Sequence, residues 1–183
     1  MLLAKYTSDW ITQFQIIKAK IENVLGVVDT YTIQHVGSTS VPLLDAKPII
    51  DIDIIYHTPD DFEIIKSGLE KLGYDHHGNQ GIADREVFKR NQNYMDDILD
   101  TIQHHLYVCP LNSAALERHL LTRDFMRKNE WARLQYQELK FEMAARANQD
   151  RKTYQALKEA HINSFLDLMV EKEKIEKENI RLL

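Results

Sequence analysis

The chain has 183 residues, 44% of them hydrophobic and 28% charged, with a formal charge of −5. That length supports one domain of ordinary size and excludes two large ones. The acidity argues against an extended surface for duplex nucleic acid. The single cysteine, Cys109, excludes an intrachain disulfide and a cysteine-built zinc cluster.

No apolar run approaches the roughly 20 residues of a membrane span. The N-terminal stretch is too short in its apolar part for a signal peptide. A soluble, cytoplasmic protein with no membrane partner is expected. Residues 6–25 place Trp10, Phe14, Ile17, Ile21 and Val24 at helical spacing. Ser8 or Asp9 caps that helix and Gly26 ends it. Residues 30–36 are β-branched and aromatic and predict a strand. Gly37-Ser38-Thr39-Ser40 breaks it, with a short helical turn to follow. Residues 48–56 alternate strictly, with Ile50, Ile52 and Ile54 on one face and Asp51 and Asp53 on the other. Residues 58–72 predict a helix capped by Thr58 with Pro59 at its first position, closed by Gly73.

Residues 74–84 read as a short strand and a loop, with His76 and His77 assigned to solvent. Residues 85–90 and 102–109 read as strands, separated by a loop over 92–100. His105 and Tyr107 share one face of the later strand. From Ser113 three helical segments follow, over 113–129, 131–147 and from Asp150 onward. The last ends in a charge run, predicted as an exposed helix or a frayed tail. Leu116, Leu120, Leu134, Leu139 and Phe165 are expected in the core.

The fold class is therefore α+β (α/β): a mixed sheet of about five strands with flanking helices, plus a helical C-terminal part. The charge changes at the same boundary. Residues 1–112 carry nine basic and 16 acidic side chains, and residues 113–183 carry 14 and 12. We read 1–112 as the core and 113–183 as a helical part of the same unit.

The strongest chemical signal is Gly37-Ser38 followed by Asp51-Ile52-Asp53. Backbone N–H groups at a Gly-Ser turn suit phosphate oxygens. Two carboxylates on one strand face suit a hard cation such as Mg²⁺. Aspartates alternating with isoleucines also describe any half-exposed strand. Aspartate is a poor strand former, however, and two on one face repel unless a positive charge lies between them. Together the two elements make a device for holding a metal–triphosphate.

The segments His35-Val36-Gly37-Ser38-Thr39-Ser40-Val41-Pro42 and Ala46-Lys47-Pro48-Ile49-Ile50-Asp51-Ile52 resemble the signature of the GrpB family, in the nucleotidyltransferase superfamily with the polymerase-β-like fold. The resemblance continues through His104-His105-Leu106-Tyr107-Val108, Arg118-His119-Leu120, Arg123 to Arg127, and Asp150-Arg151 with Tyr154 and Lys158. Leu43 departs from it, standing where the family usually has glycine. The resemblance implies that Gly37 and Ser38 bind nucleotide phosphates and that Asp51 and Asp53 bind Mg²⁺. It implies transfer of a nucleotidyl group from an NTP to an acceptor, with pyrophosphate leaving.

The superfamily's third carboxylate has no counterpart on strand 102–109, which offers His105 and Tyr107. His105 in that place serves as a metal ligand or a general base, and shifts the metal preference towards Mn²⁺ or Zn²⁺. Lys47, Arg85 and Arg123 are candidate phosphate contacts, and Arg85 and Lys89 share a strand face that borders the cleft. The plain alternative for each is a solvated surface charge. Cys109 reads as a small buried hydrophobe. Two function classes stay open: a nucleotidyltransferase with an unidentified acceptor, and a non-catalytic nucleotide-binding or protein-interaction module. A homo-oligomer, or a partner docked on the charged C-terminal helix, is left open as well.

Overall fold

The computed structural model describes residues 2–26 and 29–181, without the side chains of Glu159, Ile180 and Arg181. The element order is α1 (Asp9–Leu25), β1 (Tyr31–Val36), a 3₁₀ turn (Ser38–Ser40), β2 (Ile50–Tyr56), α2 (Pro59–Lys71), β3 (Tyr74–His76), β4 (Glu86–Arg90) and β5 (His104–Pro110). Four helices follow: α3 (Ala114–Lys128), α4 (Glu130–Arg146), α5 (Arg151–His161) and α6 (Asn163–Arg181).

One five-stranded mixed sheet runs β1-β2-β5-β4-β3. Every pairing is antiparallel except β2 with β5, which is parallel. The alternation read from β2 decides its first face. Ile50, Ile52 and Ile54 are fully buried, against Trp10, Phe14, Ile17 and Ile21 of α1 and Ile65 and Leu69 of α2. Val24, expected on the same stripe of α1, is exposed in the last turn, where its side chain lies beside Gly68 of α2. Ser8 precedes α1 in helical geometry with no side-chain cap; the Asp9 N–H donates to Thr7 Oγ1 instead. The α2 start carries a full capping box between Thr58 and Asp61.

The second face of the sheet is covered by α3. Ile55, Cys109 and Leu116 pack together there, and burial pushes the Cys109 thiol up to about 12. A separate core joins α3–α6 to the segment after the 3₁₀ turn, through Val41, Leu44, Phe125, Tyr136, Met143, Tyr154 and Ile162. Leu116 is core as expected. Leu134 is exposed, facing away from that cluster.

Two further expectations are corrected. The segment from Asp150 is two helices, broken at Ile162, whose side chain is fully buried in the second core. Its charge run is the exposed helix expected, not a frayed tail, with Glu173 buried against α3. Lys174 pairs with Glu117, Arg118 with Asp167, and Lys128 with Glu173, which ties α6 along α3. His76 is not in solvent: its Nε2 lies 2.6 Å from Glu86 Oε2 and its ring stacks on Phe88. Among the described residues, no helix is long and apolar enough to cross a membrane.

Candidate active site

The site is built by register. In the β1–β2 ladder Val36 pairs with Asp51, so the next residue, Gly37, lies against the Asp51 side chain. In the parallel β2–β5 ladder Asp51 pairs with His105 and Asp53 with Tyr107. The His105 Nδ1 lies 2.9 Å from Asp51 Oδ1 and donates to it. Both groups are partly open to solvent.

Asp53 has a different fate. Its side chain is wholly buried, and His119 of α3 donates from Nδ1 to its Oδ2 at 2.8 Å. Its Oδ1 is buried with no hydrogen-bond partner among the described residues. The strand face that the sequence leaves half-exposed is thus roofed at Asp53 by α3 and open at Asp51.

The Gly37 backbone has φ 69° and ψ −173°, a region essentially reserved for glycine. A Cβ at this position would lie 2.2 Å from Asp51 Oδ2. Gly37 therefore serves two ends, the turn and the close approach of backbone to carboxylate. The Gly37 carbonyl accepts from both the N–H and the Oγ of Ser40. Arg127 donates through Nε and Nη2 to the Ser40 carbonyl, and Arg123 donates to Gln34 Oε1 and the His35 carbonyl. These arginines on α3 brace the turn from below. His35 is structural: Thr39 Oγ1 donates to the Ile49 carbonyl, so it accepts from His35 Nε2. Burial pushes this imidazole down to about 4, and its ring stacks on Phe14.

Gly37, Ser38 and Asp51 open into a cleft of about 960 Å³ whose charged lining residues are mostly basic. Lys47, Arg85, His105 and Arg123 line it, and α5 contributes Arg151, Tyr154 and Lys158. The Lys47 ammonium sits 4.3 Å from the centre of the Tyr154 ring. Burial, then the charges of Arg151 and Lys158, lower its proton affinity. Lys158 is held above the usual lysine range by Tyr136, with Tyr154 and Asp51 acting in the same direction against burial. Lys140 is buried at the back of the cleft and donates to the Asp45 carbonyl; burial, with the Lys158 charge, lowers it to about 7. The Arg85 guanidinium stacks over Tyr107 at 4.7 Å.

The predicted residues Gly37, Ser38, Lys47, Asp51, Arg85, His105 and Arg123 all line this one cleft. Asp53 stands behind its wall, and Lys89 lies outside it. His119 was not a predicted site residue. Its signal was available: it lies four residues before Arg123, on the same helix face. Among the described residues, no group of three or more His, Cys, Asp or Glu is placed to hold a metal. The donors present suit a hard cation that arrives with phosphate. Mg²⁺ takes one or two carboxylates and fills its shell with substrate oxygens and water. Asp51 meets the cleft, and the buried Asp53 Oδ1 is a carboxylate oxygen left unpartnered.

Comparison with known proteins agrees with this architecture. A family model described as "GrpB protein" matches residues 1–168. The chain is 32% identical over 140 residues to the UPF0157 protein YqkA of Bacillus subtilis, covering 76% of this chain and 38% of that one. It is 40% identical over 123 residues to the UPF0157 protein PA4798 of Pseudomonas aeruginosa, covering 67% and 48%. These matches span less than half the length of those two relatives. The crystal structure of GrpB from Enterococcus faecalis superposes with a TM-score of 0.74 at 26% identity, covering 93% of this chain and 98% of that one. The Cid1 poly(U) polymerase, in a mutant bound to MgATP, superposes with a TM-score of 0.56 at 12% identity, covering 84% and 50%. At that identity the likeness establishes a nucleotidyltransferase-like fold alone. With residues 1–168 matched by the family model, the chain belongs to the GrpB family.

Proposed function

We propose that the protein binds a metal–nucleoside triphosphate in this cleft and transfers its nucleotidyl group to an acceptor. The observation that carries the reading is the contact of Gly37 with Asp51: a phosphate-type turn with no side chain, closed directly onto a carboxylate under a basic wall. The two parts of the chain, 1–112 and 113–183, then supply different components. The first brings Gly37, Ser38, Asp51 and Asp53. The second brings Arg123, Tyr154 and Lys158.

In this reading the turn's N–H groups and Ser38 hold phosphate oxygens, and Lys47 and Lys158 offset the charge of the triphosphate. Asp51 would hold Mg²⁺ or Mn²⁺ together with phosphate oxygens and water, and the ion would neutralise the charge developing on the phosphates, while Asp53, sealed under His119, would add its negative charge from behind the wall. His105 gives its Nδ1 proton to the hydrogen bond with Asp51, which leaves Nε2 as the free base. There it accepts the acceptor hydroxyl's proton as the oxygen bonds to the α-phosphorus and pyrophosphate departs.

A second reading, a nucleotide-binding module without catalysis, is favoured by one observation: His105 and Tyr107 face Asp51 and Asp53 where a third carboxylate is expected. Thermal shift with Mg²⁺–ATP or Mn²⁺–ATP tests the shared part. Binding should be lost in Asp51→Asn with the fold retained; if this variant binds like the parent, the site assignment falls. Pyrophosphate release in the presence of candidate acceptors separates the two readings.

A further inference from the structure

The cleft has a neighbour. A second cavity, of about 770 Å³, lies over β4 and the start of β5. Ile49, Arg85, His105, Tyr107 and Arg151 line both cavities. The two therefore adjoin along a rim that carries the Asp51–His105 pair, the point at which the proposed reaction needs a second substrate.

The chemistry of the second cavity differs from that of the first. Beyond the shared rim it offers Lys89 and Arg90, the amides of Gln92 and Gln103, and the half-exposed ring of Tyr94. Arg90 is already engaged, by Asp100 at 2.8 Å and by backbone carbonyls. Among the described residues, Arg85, Lys89 and Arg151 form no ion pair. Asp75, opposite Lys89 in the ladder, accepts from Asn91 Nδ2 instead. The Arg85 guanidinium is oriented by its stack on Tyr107, and its Nε is buried with no hydrogen-bond partner. A fixed guanidinium with an unspent donor, flanked by two unpaired cations, suits an oxyanion. An exposed aromatic ring with amides around it suits a planar heterocycle. The volume is that of a small-molecule site and not of a polymer groove.

We propose that the second cavity binds the acceptor, a phosphate-bearing small molecule of mononucleotide size. Its anion lies at Arg85, Lys89 and Arg151, its planar group lies against Tyr94, and its hydroxyl reaches the rim at His105. The acceptor role rests on the nucleotide reading of the first cleft; the cavity's ligand class rests on its own residues.

The test uses the full chain and AMP as the probe. AMP is titrated alone, and again after saturation with Mg²⁺ and a non-hydrolysable α,β-methylene ATP that fills the first cleft. The saturated protein should still bind AMP. Lys89→Glu, which alters only the second cavity, should weaken that binding at least fivefold and change the analogue's affinity less than twofold. The proposal is overturned if the saturated protein binds no AMP, or if Lys89→Glu leaves AMP affinity unchanged. An analogue that fails to bind the parent, or binds Asp51→Asn equally well, overturns the first-cleft reading and removes the acceptor role. AMP affinity that still drops in Lys89→Glu then shows that the second cavity itself survives.

Discussion

Gly37→Ala tests the contact on which the proposed site depends. Two costs are separable. The first is conformational: at φ 69° and ψ −173° a non-glycine residue is strained by about 1–3 kcal/mol. The second is steric. The new Cβ would stand 2.2 Å from Asp51 Oδ2 and 2.9 Å from its Cγ, so the carboxylate must swing aside. Leaving its rotamer well costs about 0.5–1.5 kcal/mol, and losing the His105 hydrogen bond costs about 1 kcal/mol at this half-open position. Gly26 is an internal control. It has nearly the same backbone, φ 79° and ψ 155°, but among the described residues a Cβ there meets nothing within 4 Å. Urea unfolding should therefore show Gly37→Ala less stable than Gly26→Ala by about 2 kcal/mol. Only Gly37→Ala should also lose the stabilisation that Mg²⁺–ATP confers on the parent. Equal destabilisation of the two variants, with Mg²⁺–ATP stabilising both, would refute the reasoning.

Three other outcomes follow from particular contacts. His119→Ala strips the one hydrogen bond that the described residues give a wholly buried carboxylate and should cost about 3 kcal/mol in urea unfolding; a loss below about 1 kcal/mol would mean that water or another donor already serves Asp53. Lys140 has its affinity for protons lowered in the fold to about 7 from 10.5, so the unfolded chain binds more protons between those values. Stability from this group is lowest below pH 7 and rises with pH through that window. Lys140→Met should flatten the rise between pH 6.5 and 9, and an unchanged slope would remove Lys140 as its source. Leu43 sits exposed at φ 64°, a left-handed conformation. Leu43→Gly, the residue the family signature usually has there, should raise stability by about 1 kcal/mol; a loss of that size would show that the leucine side chain contributes more than its strain.

Much of the site could be read from the chain because it depends on local order. Gly37-Ser38 ends one strand, Asp51-Ile52-Asp53 lies in the next, and antiparallel pairing of neighbouring strands brings them together. The strand order, with β2 beside β5, adds His105, which the pattern of faces had already isolated. Tyr154 and Lys158 of α5, four residues apart, were legible as a shared helix face. What they face was not, because it depends on how the second core folds α5 back over β2. The same limit explains His76, whose partner Glu86 comes from the next strand, and Leu134, whose spacing is that of a core residue on a helix whose other face is packed.

Asp51 and Asp53 mark the boundary most clearly. The sequence by itself determined that they share a strand face opposite three buried isoleucines, since side chains alternate along a strand whatever surrounds it. It determined equally that the turn before them carries no side chain at Gly37. Only the tertiary structure decided that the two acids differ: α3, more than sixty residues later, lays His119 over Asp53 and leaves Asp51 open to the basic cleft. Periodicity reports which residues share a face. What covers that face is set by packing between elements distant in the chain, and that packing separates a sealed carboxylate from an accessible one.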